Sequence, residues 1–406
     1  VPTKKSSSAR PTVVAIYCPL WHSHDHWSTW KGEGWNEWEL VKGARPRFPG
    51  HHQPLRPSWG CFDESDPRWA AREIDLAADH DVDVFLFDWY WYSGVKIMEE
   101  ALEKGFLRAP NRRRMKFALM WANHTWGDYF PAPYAETWNN WLPMRHSPRD
   151  FERAMDYCIE HYLRQPNYWQ VEGKLFFSLF LPFLLVDHLG GAEKTKCLFQ
   201  KIDRKLHHQG FPSIHWNAMT MDPVSAKNYR AAGFHSTTSY NVMTTGRDRT
   251  ADDLLEPYEN IMQAHRDHWR LMQQGVLPHF PVVTMGWDVT PRCRTDVPWP
   301  FPPMREVPRN HPFNGPADAG KHCYPYIHVV TGNTPEKFGQ LCREAAQHSR
   351  QNSAPIPAVF VNAWNEWTEG CYLLPEKKYG IRYLQALQKG FSPIYKISRP
   401  TKKLRT

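Results

Sequence analysis

Glu366 and Glu369 are the residues of this chain best suited by type and spacing to acid–base chemistry. They stand in "NAWNEWTEG" (Asn362–Gly370), among Trp364, Trp367 and the nearby Tyr372. Cleaving a glycosidic bond takes a protonated acid beside the leaving oxygen and a second carboxylate that acts at the sugar. Aromatic walls disfavour the ionised form of a carboxyl and raise its pKa, so two glutamates in unequal surroundings can divide those roles. The same walls can stack on sugar rings. The spacing fits a blander arrangement equally: two solvated glutamates in a helical first turn. "WNEW" also occurs near the other end of the chain, at Trp35–Trp38, where Glu37 takes the place of Glu366 and no glutamate follows three residues later.

Eight apolar runs read as buried strands, because they are continuous rather than alternating. They are 12–18, 83–91, 115–123, 174–180, 213–219, 235–241, 280–288 and 357–367, the sixth being the weakest. Helical patterns lie between many of them. Asp66, Ser147 and Thr334 each precede a proline, the pattern of an N-cap followed by Pro at the first helical position. Alternating strands and helices imply a parallel sheet with crossover helices, and eight strands predict a closed (β/α)8 barrel. An open doubly wound sheet would want a Gly-rich phosphate turn after the first strand, and none is present. Two long irregular segments, 20–65 and 289–332, follow the first and seventh strands. They leave the end of a barrel where binding loops sit, so they are expected to build a site. No linker divides the chain: residues 12–392 are expected to form one domain, between a disordered segment 1–11 and a basic tail 393–406. On this plan the pair Glu366 and Glu369 lies just past the last strand, at the barrel mouth.

The chain carries 20 Trp, 17 Tyr and 21 Phe, a supply that suits a large core as well as sugar stacking. The longest apolar run, "LFFSLFLPFLLV" (Leu175–Val186), is too short for a membrane helix and is split by Pro182, so it reads as a strand followed by a loop. The first residues are polar and show no signal peptide; if one has been removed, a secreted or periplasmic setting is expected. Eight scattered cysteines form no CxxC pair, which argues against a zinc ribbon. Cys158 and Cys342 fall on apolar helix faces as buried thiols. The net charge of +8 includes the run "NRRRMK" (Asn111–Lys116). No nucleic-acid motif accompanies it, so the charge is read as a weak pointer to an anionic glycan.

"NAWNEWTEG" followed by "PEKKYGIRYLQAL" resembles the C-terminal signature of WbsX-like proteins. These are distant relatives of the endo-α-mannosidases of glycoside hydrolase family ninety-nine. "GEGWNEWELVKGARPRFPGHHQP", "FDWYWYSG", "MWANHTW" and "GWD" resemble the same group, so the likeness runs from the first strand to the eighth. It implies a (β/α)8 barrel and retaining glycosidase chemistry without a cofactor or metal. In the endomannosidases the first glutamate of N-E-W-x-E-G is held to deprotonate the sugar's own 2-hydroxyl, which then attacks the anomeric carbon to give a 1,2-anhydro sugar. The second glutamate protonates the leaving group and later activates water. Carried over, Glu366 is the base and Glu369 the general acid/base, and the sugar needs a 2-hydroxyl trans to the leaving group, as in an α-mannoside or α-rhamnoside. The group often reads W-A-N-E-N-W on the third strand, where this chain has His124 and Thr125, a difference that bears on specificity. WbsX-like proteins have also been described as glycosyltransferases, which leaves transfer open beside hydrolysis.

The remaining candidates lie at strand ends. Glu37 follows the first strand and would neighbour the eighth in a closed barrel, placing both "WNEW" copies at one cleft, where it would bind a sugar hydroxyl or hold a catalytic glutamate by hydrogen bonding; a helix-capping role is the alternative. Asp88, beside Trp89, and Asp288 are candidate hydroxyl ligands or starts of Asx turns. Trp121, Asn123, His124 and Trp126 are candidates for a sugar subsite, as are Tyr240 and Asn362. The expected partner is an oligosaccharide or polysaccharide bound by a monomer, with no nucleic acid and no membrane span. Two other classes compete. His22, His24 and His26, with His215 and His235, sketch a metal-dependent amidohydrolase barrel, although no Asp ends the eighth strand. A non-catalytic sugar-binding barrel would show the same tryptophans but has no use for the glutamate pair.

Overall fold

The computed structural model describes residues 10–127, 130–134, 139–243, 254–304 and 322–392. Eight parallel strand positions form the wall: β1 (Thr12–Tyr17), β2 (Val84–Tyr92), β3 (Lys116–Trp121), β4 (Lys174–Leu179), β5 (Ile214–Met219), β6 (Ser236–Thr238), β7 and β8 (Ala358–Asn362). β7 is broken by Pro281 into His279–Phe280, which pairs with β6, and Val282–Thr284, which pairs with β8. β8 pairs in turn with β1, so the circle closes. Proline has no N–H to give the ladder. Its carbonyl still accepts from Phe360 N at 2.9 Å, which ties the break to β8.

The strands alternate between two cores. Inward residues Phe176, Phe280 and Phe360 meet edge-on or tilted inside the barrel, with centroids 5.8–6.5 Å apart. Outward residues pack on helices: Trp216 of β5 stacks on Phe199 of helix Ala192–His208 at 3.9 Å, and Trp121 of β3 lies over Phe151 of helix Pro148–Cys158.

The expected caps are formed. Asp66, Ser147 and Thr334 accept from the N–H of Arg68, Asp150 and Lys337, each ahead of a proline that opens the helix. Ser147→Ala is expected to lower stability by about 1 kcal/mol, read as a lower urea midpoint at unchanged slope; an unchanged midpoint would show that the cap bond contributes nothing. Besides the split in β7, the elements differ from expectation in further places, and β8 ends at Asn362, short of the expected 367. β6 is only three residues long. The segment after β4, expected as a loop, is helix Pro182–His188, with the proline seated at its first turn. All eight cysteines are free thiols, and Cys158 and Cys342 are buried. The terminal segments expected to be disordered (1–11, save its last two residues) and basic (393–406) lie outside the described residues.

Candidate active site

The chain leaves the wall at Asn362 and reverses at once. Asn365–Glu366 pairs antiparallel with Cys371–Tyr372, and Trp367–Glu369 makes a single helical turn between them. That turn ends at Gly370, with φ of 69°. A Cβ there would sit 2.9 Å from the Asp288 amide nitrogen, so only glycine lets the turn close against the end of β7. The reversal presents Glu366 and Glu369 to the groups at the mouth while leaving each only 5% exposed.

Their surroundings are unequal. Glu369 Oε1 accepts from the Tyr324 hydroxyl at 2.7 Å and from Arg292 Nη1, whereas Glu369 Oε2 is buried with no hydrogen-bond partner among the described residues. Glu366 Oε2 accepts from the Tyr240 hydroxyl at 2.7 Å, and Glu366 Oε1 lies 3.5 Å from Arg292 Nη2. Burial raises Glu369, the Glu366 charge and a hydrogen bond to the Glu366 carboxyl adding to it while Arg292 and Tyr324 pull the other way. Burial also raises Glu366, but Arg292 and Tyr240 restrain it. Glu369 is therefore the member that holds a proton near neutral pH.

Glu37 is fully buried and joins the second "WNEW" copy to the first. Its Oε2 accepts from the Thr368 hydroxyl at 2.5 Å and from Arg292 Nη2 at 3.3 Å. It does not cap helix Trp38–Gly43 with its side chain. Asp88, at the upper part of β2, shares the mouth. Burial holds its carboxyl well above the usual range, with Cys18 and Tyr240 beside it, and its Oδ1 has no hydrogen-bond partner among the described residues. Asn362 is fully buried on the same face as Phe360, and neither end of its amide is hydrogen-bonded among the described residues. Unpaired buried polar atoms of this kind call for a water or a ligand.

Other expected site residues are held by packing or hydrogen bonds of their own. Trp89 packs on Trp91, Trp121 and Tyr162, and Trp121 on His146 and Phe151, so both face the helix layer, not the mouth. Trp364 lies against Phe85 and donates its indole N–H to Glu73 at 3.0 Å. Trp367 stacks on Tyr372 at 4.2 Å. The strand pleat explains the first two: with Asp88 turned inward, Trp89 must point out. The amide of Asn123 is spent on the backbone of Leu181 and on His146. Asp288 binds His51, Gln53 and Thr290, contacts that outweigh burial and keep its carboxyl below the usual value. His124 and Trp126 sit with Tyr90 in one aromatic cluster, where burial lowers His124 to about 4.

Sequence reasoning missed Arg292, Tyr324, Thr368 and Cys18. Arg292 and Tyr324 stand near opposite ends of the long segment after β7 that was expected to build a site, but a lone Arg and a lone Tyr carry no spacing signal. The first histidine of the early cluster is engaged: His22 Nδ1 lies 3.0 Å from Glu64 and Nε2 3.2 Å from Glu100. His215 meets Ser236, and His235 meets Lys174. Among the described residues no group of three or more His, Cys, Asp or Glu side chains is arranged to hold a metal ion, and no helix is long and apolar enough to cross a membrane.

The sequence model of the family described as Glycosyltransferase WbsX matches residues 13–297 and 325–387. Two curated relatives, both WxcX proteins of Xanthomonas campestris pv. campestris strains, are 25% identical over 94% of this chain. The chain spans 50% of their length. Among solved structures, the GH99 endo-alpha-mannosidase from Bacteroides thetaiotaomicron is 14% identical, with a TM-score of 0.54, covering 93% of this chain and 96% of that one. A glycoside hydrolase-like protein is 12% identical, with a TM-score of 0.57 and 97% of each chain covered. These structural likenesses establish the barrel fold. With the family match running from β1 into the last helix, the chain belongs to the WbsX family.

Proposed function

We propose that this protein is a retaining glycoside hydrolase that cleaves an α-glycosidic bond of the mannoside or rhamnoside type. The observation that carries this reading is the unequal pair at the mouth: Glu369 with a raised proton affinity and one oxygen unpartnered, Glu366 held by Tyr240. Glu369 Oε2 donates its proton to the glycosidic oxygen as the bond from that oxygen to the anomeric carbon breaks. The sugar's 2-oxygen attacks the anomeric carbon from the opposite face and gives its proton to Glu366 Oε1. In the second step Glu369 takes a proton from water, the water oxygen opens the 1,2-anhydro ring at the anomeric carbon, and Glu366 returns its proton to the 2-oxygen. Two inversions give net retention, and the enzyme contributes no covalent nucleophile.

The expectation of an anionic sugar finds little support at this pair. The two terminal nitrogens of Arg292 already face Glu37, Glu366, Glu369 and Tyr324, with the Phe130 ring 4.5 Å away, and only Nε has no hydrogen-bond partner among the described residues. A neutral sugar suits the reacting position better. The test is digestion of a panel of neutral and acidic oligosaccharides, with products identified and their anomeric form followed by NMR. Release of the retained anomer from a neutral α-linked glycan is expected. An inverted product would sink the mechanism, and sugar transfer from an activated donor with no hydrolysis would favour the glycosyltransferase reading that the family description offers.

A further inference from the structure

Arg292 reaches the glutamates from a turn built to aim it. Thr290–Arg292 is one helical turn that starts just after β7. Asp288 caps it: Oδ1 accepts from the Thr290 amide at 3.0 Å and the Thr290 hydroxyl at 2.6 Å. The other oxygen of Asp288 accepts from Gln53 Nε2 at 2.6 Å and lies 2.8 Å from His51 Nε2, which brings in the long segment after β1. The Asp288 amide donates to the Glu369 carbonyl at 2.7 Å, so the turn and the acid share one anchor. The far end of the turn is tied too, with the Arg292 carbonyl accepting from Ala132 N at 2.8 Å.

We propose that Arg292 is a positioning residue that selects which oxygen of Glu369 delivers the proton, and that Asp288 and Glu37 hold Arg292 to that task. The guanidinium and Tyr324 both bond to Glu369 Oε1, so the proton belongs on Oε2, the oxygen left open. A guanidinium donates through two nitrogens at a fixed angle, and here Nη1 serves Glu369 while Nη2 serves Glu37. Lysine, with one ammonium on a flexible stem, cannot reproduce that fork.

This inference rests on Glu369 acting as the acid, and the experiment separates the two. Wild type, Glu369→Gln, Arg292→Met and Arg292→Lys are compared on the glycan that the panel identifies and on the same sugar linked to dinitrophenol. A dinitrophenolate leaves without a proton, so only loss of proton delivery divides the two substrates. Arg292→Met is expected to lose about a hundredfold in kcat on the glycan and less than about tenfold on the dinitrophenyl glycoside. Arg292→Lys should fall between Met and wild type on the glycan. Equal losses on both substrates, or none, would overturn the role of Arg292 while leaving Glu369 intact. A Glu369→Gln variant as active as wild type on the glycan would instead overturn the reading of Glu369. Melting curves check folding, and Arg292→Lys, which keeps the buried charge, decides the question should the Met variant fail to fold.

Discussion

On the proposed mechanism, Glu369→Gln is expected to lower kcat for a sugar leaving group by about a thousandfold, and Glu366→Gln to lower it comparably for every leaving group. The asymmetry follows from their tasks. An amide at 369 keeps the bonds from Arg292 and Tyr324 to its oxygen but has no acidic proton to give, so the loss in kcat/KM, which reports the first step, tracks the basicity of the departing oxygen. An amide at 366 cannot take the 2-hydroxyl proton, and that attack is needed whatever departs. The pH profile carries the same information. The active form has Glu369 protonated and Glu366 ionised, so activity falls as pH rises through the raised Glu369 value. It falls again in acid as Glu366 takes a proton. The alkaline limb should vanish in Glu369→Gln on a dinitrophenyl substrate. Kinetics on both substrates across pH check this, and two variants indistinguishable from wild type would remove the pair from the chemistry.

Most of the frame was legible in the sequence for identifiable reasons. The strands were continuous apolar runs, and each of the three proline-marked helix starts carried its own cap. β7 was expected as one strand, but Pro281 splits it. A lone proline costs one ladder bond, and the barrel accommodates that by letting each half pair with a different neighbour. The candidate site was legible where residues lie on a strand or follow it closely, as Asp88 on β2 and Tyr240 after β6 do. The tryptophans beside the glutamates misled, because a reversal as tight as Asn365–Tyr372 sends neighbouring side chains to opposite sides. Trp364 goes to Glu73 in the helix layer while Glu366 goes to Tyr240 at the mouth. The groups that in fact tune the acid, Arg292 and Tyr324, come from far along the chain, and only the closed barrel brings them in.

Stability is expected to peak near pH 6.5 and to fall on both sides. Seven buried histidines drive the acid side: His24, His124, His146, His215, His265, His268 and His279. Burial lowers His24, His146, His215 and His265 to about 3 and His124 and His268 to about 4, with His279 well below its usual value. In the unfolded chain each takes up a proton near 6.5, so the stabilisation is complete above that pH. It is lost as pH falls toward the folded values, at about 1.4 kcal/mol per pH unit for each proton. Carboxyls that burial raises act in the opposite sense: Asp88, Glu366 and Glu64, and with them Glu73 and Glu369. Burial raises Glu73 to about 8, so between about 4.5 and 8 the folded state holds a proton that the unfolded chain has released, and stability drops as pH rises. His22, raised to about 9 by Glu100 and Glu64 against the cost of burial, adds to the alkaline loss because its stabilisation is complete only below 6.5. Urea unfolding at pH 5, 6.5 and 8 tests the balance, with proton uptake on unfolding at pH 5.5 measured in parallel. Stability that keeps rising down to pH 5 would mean that these histidines are charged in the folded protein.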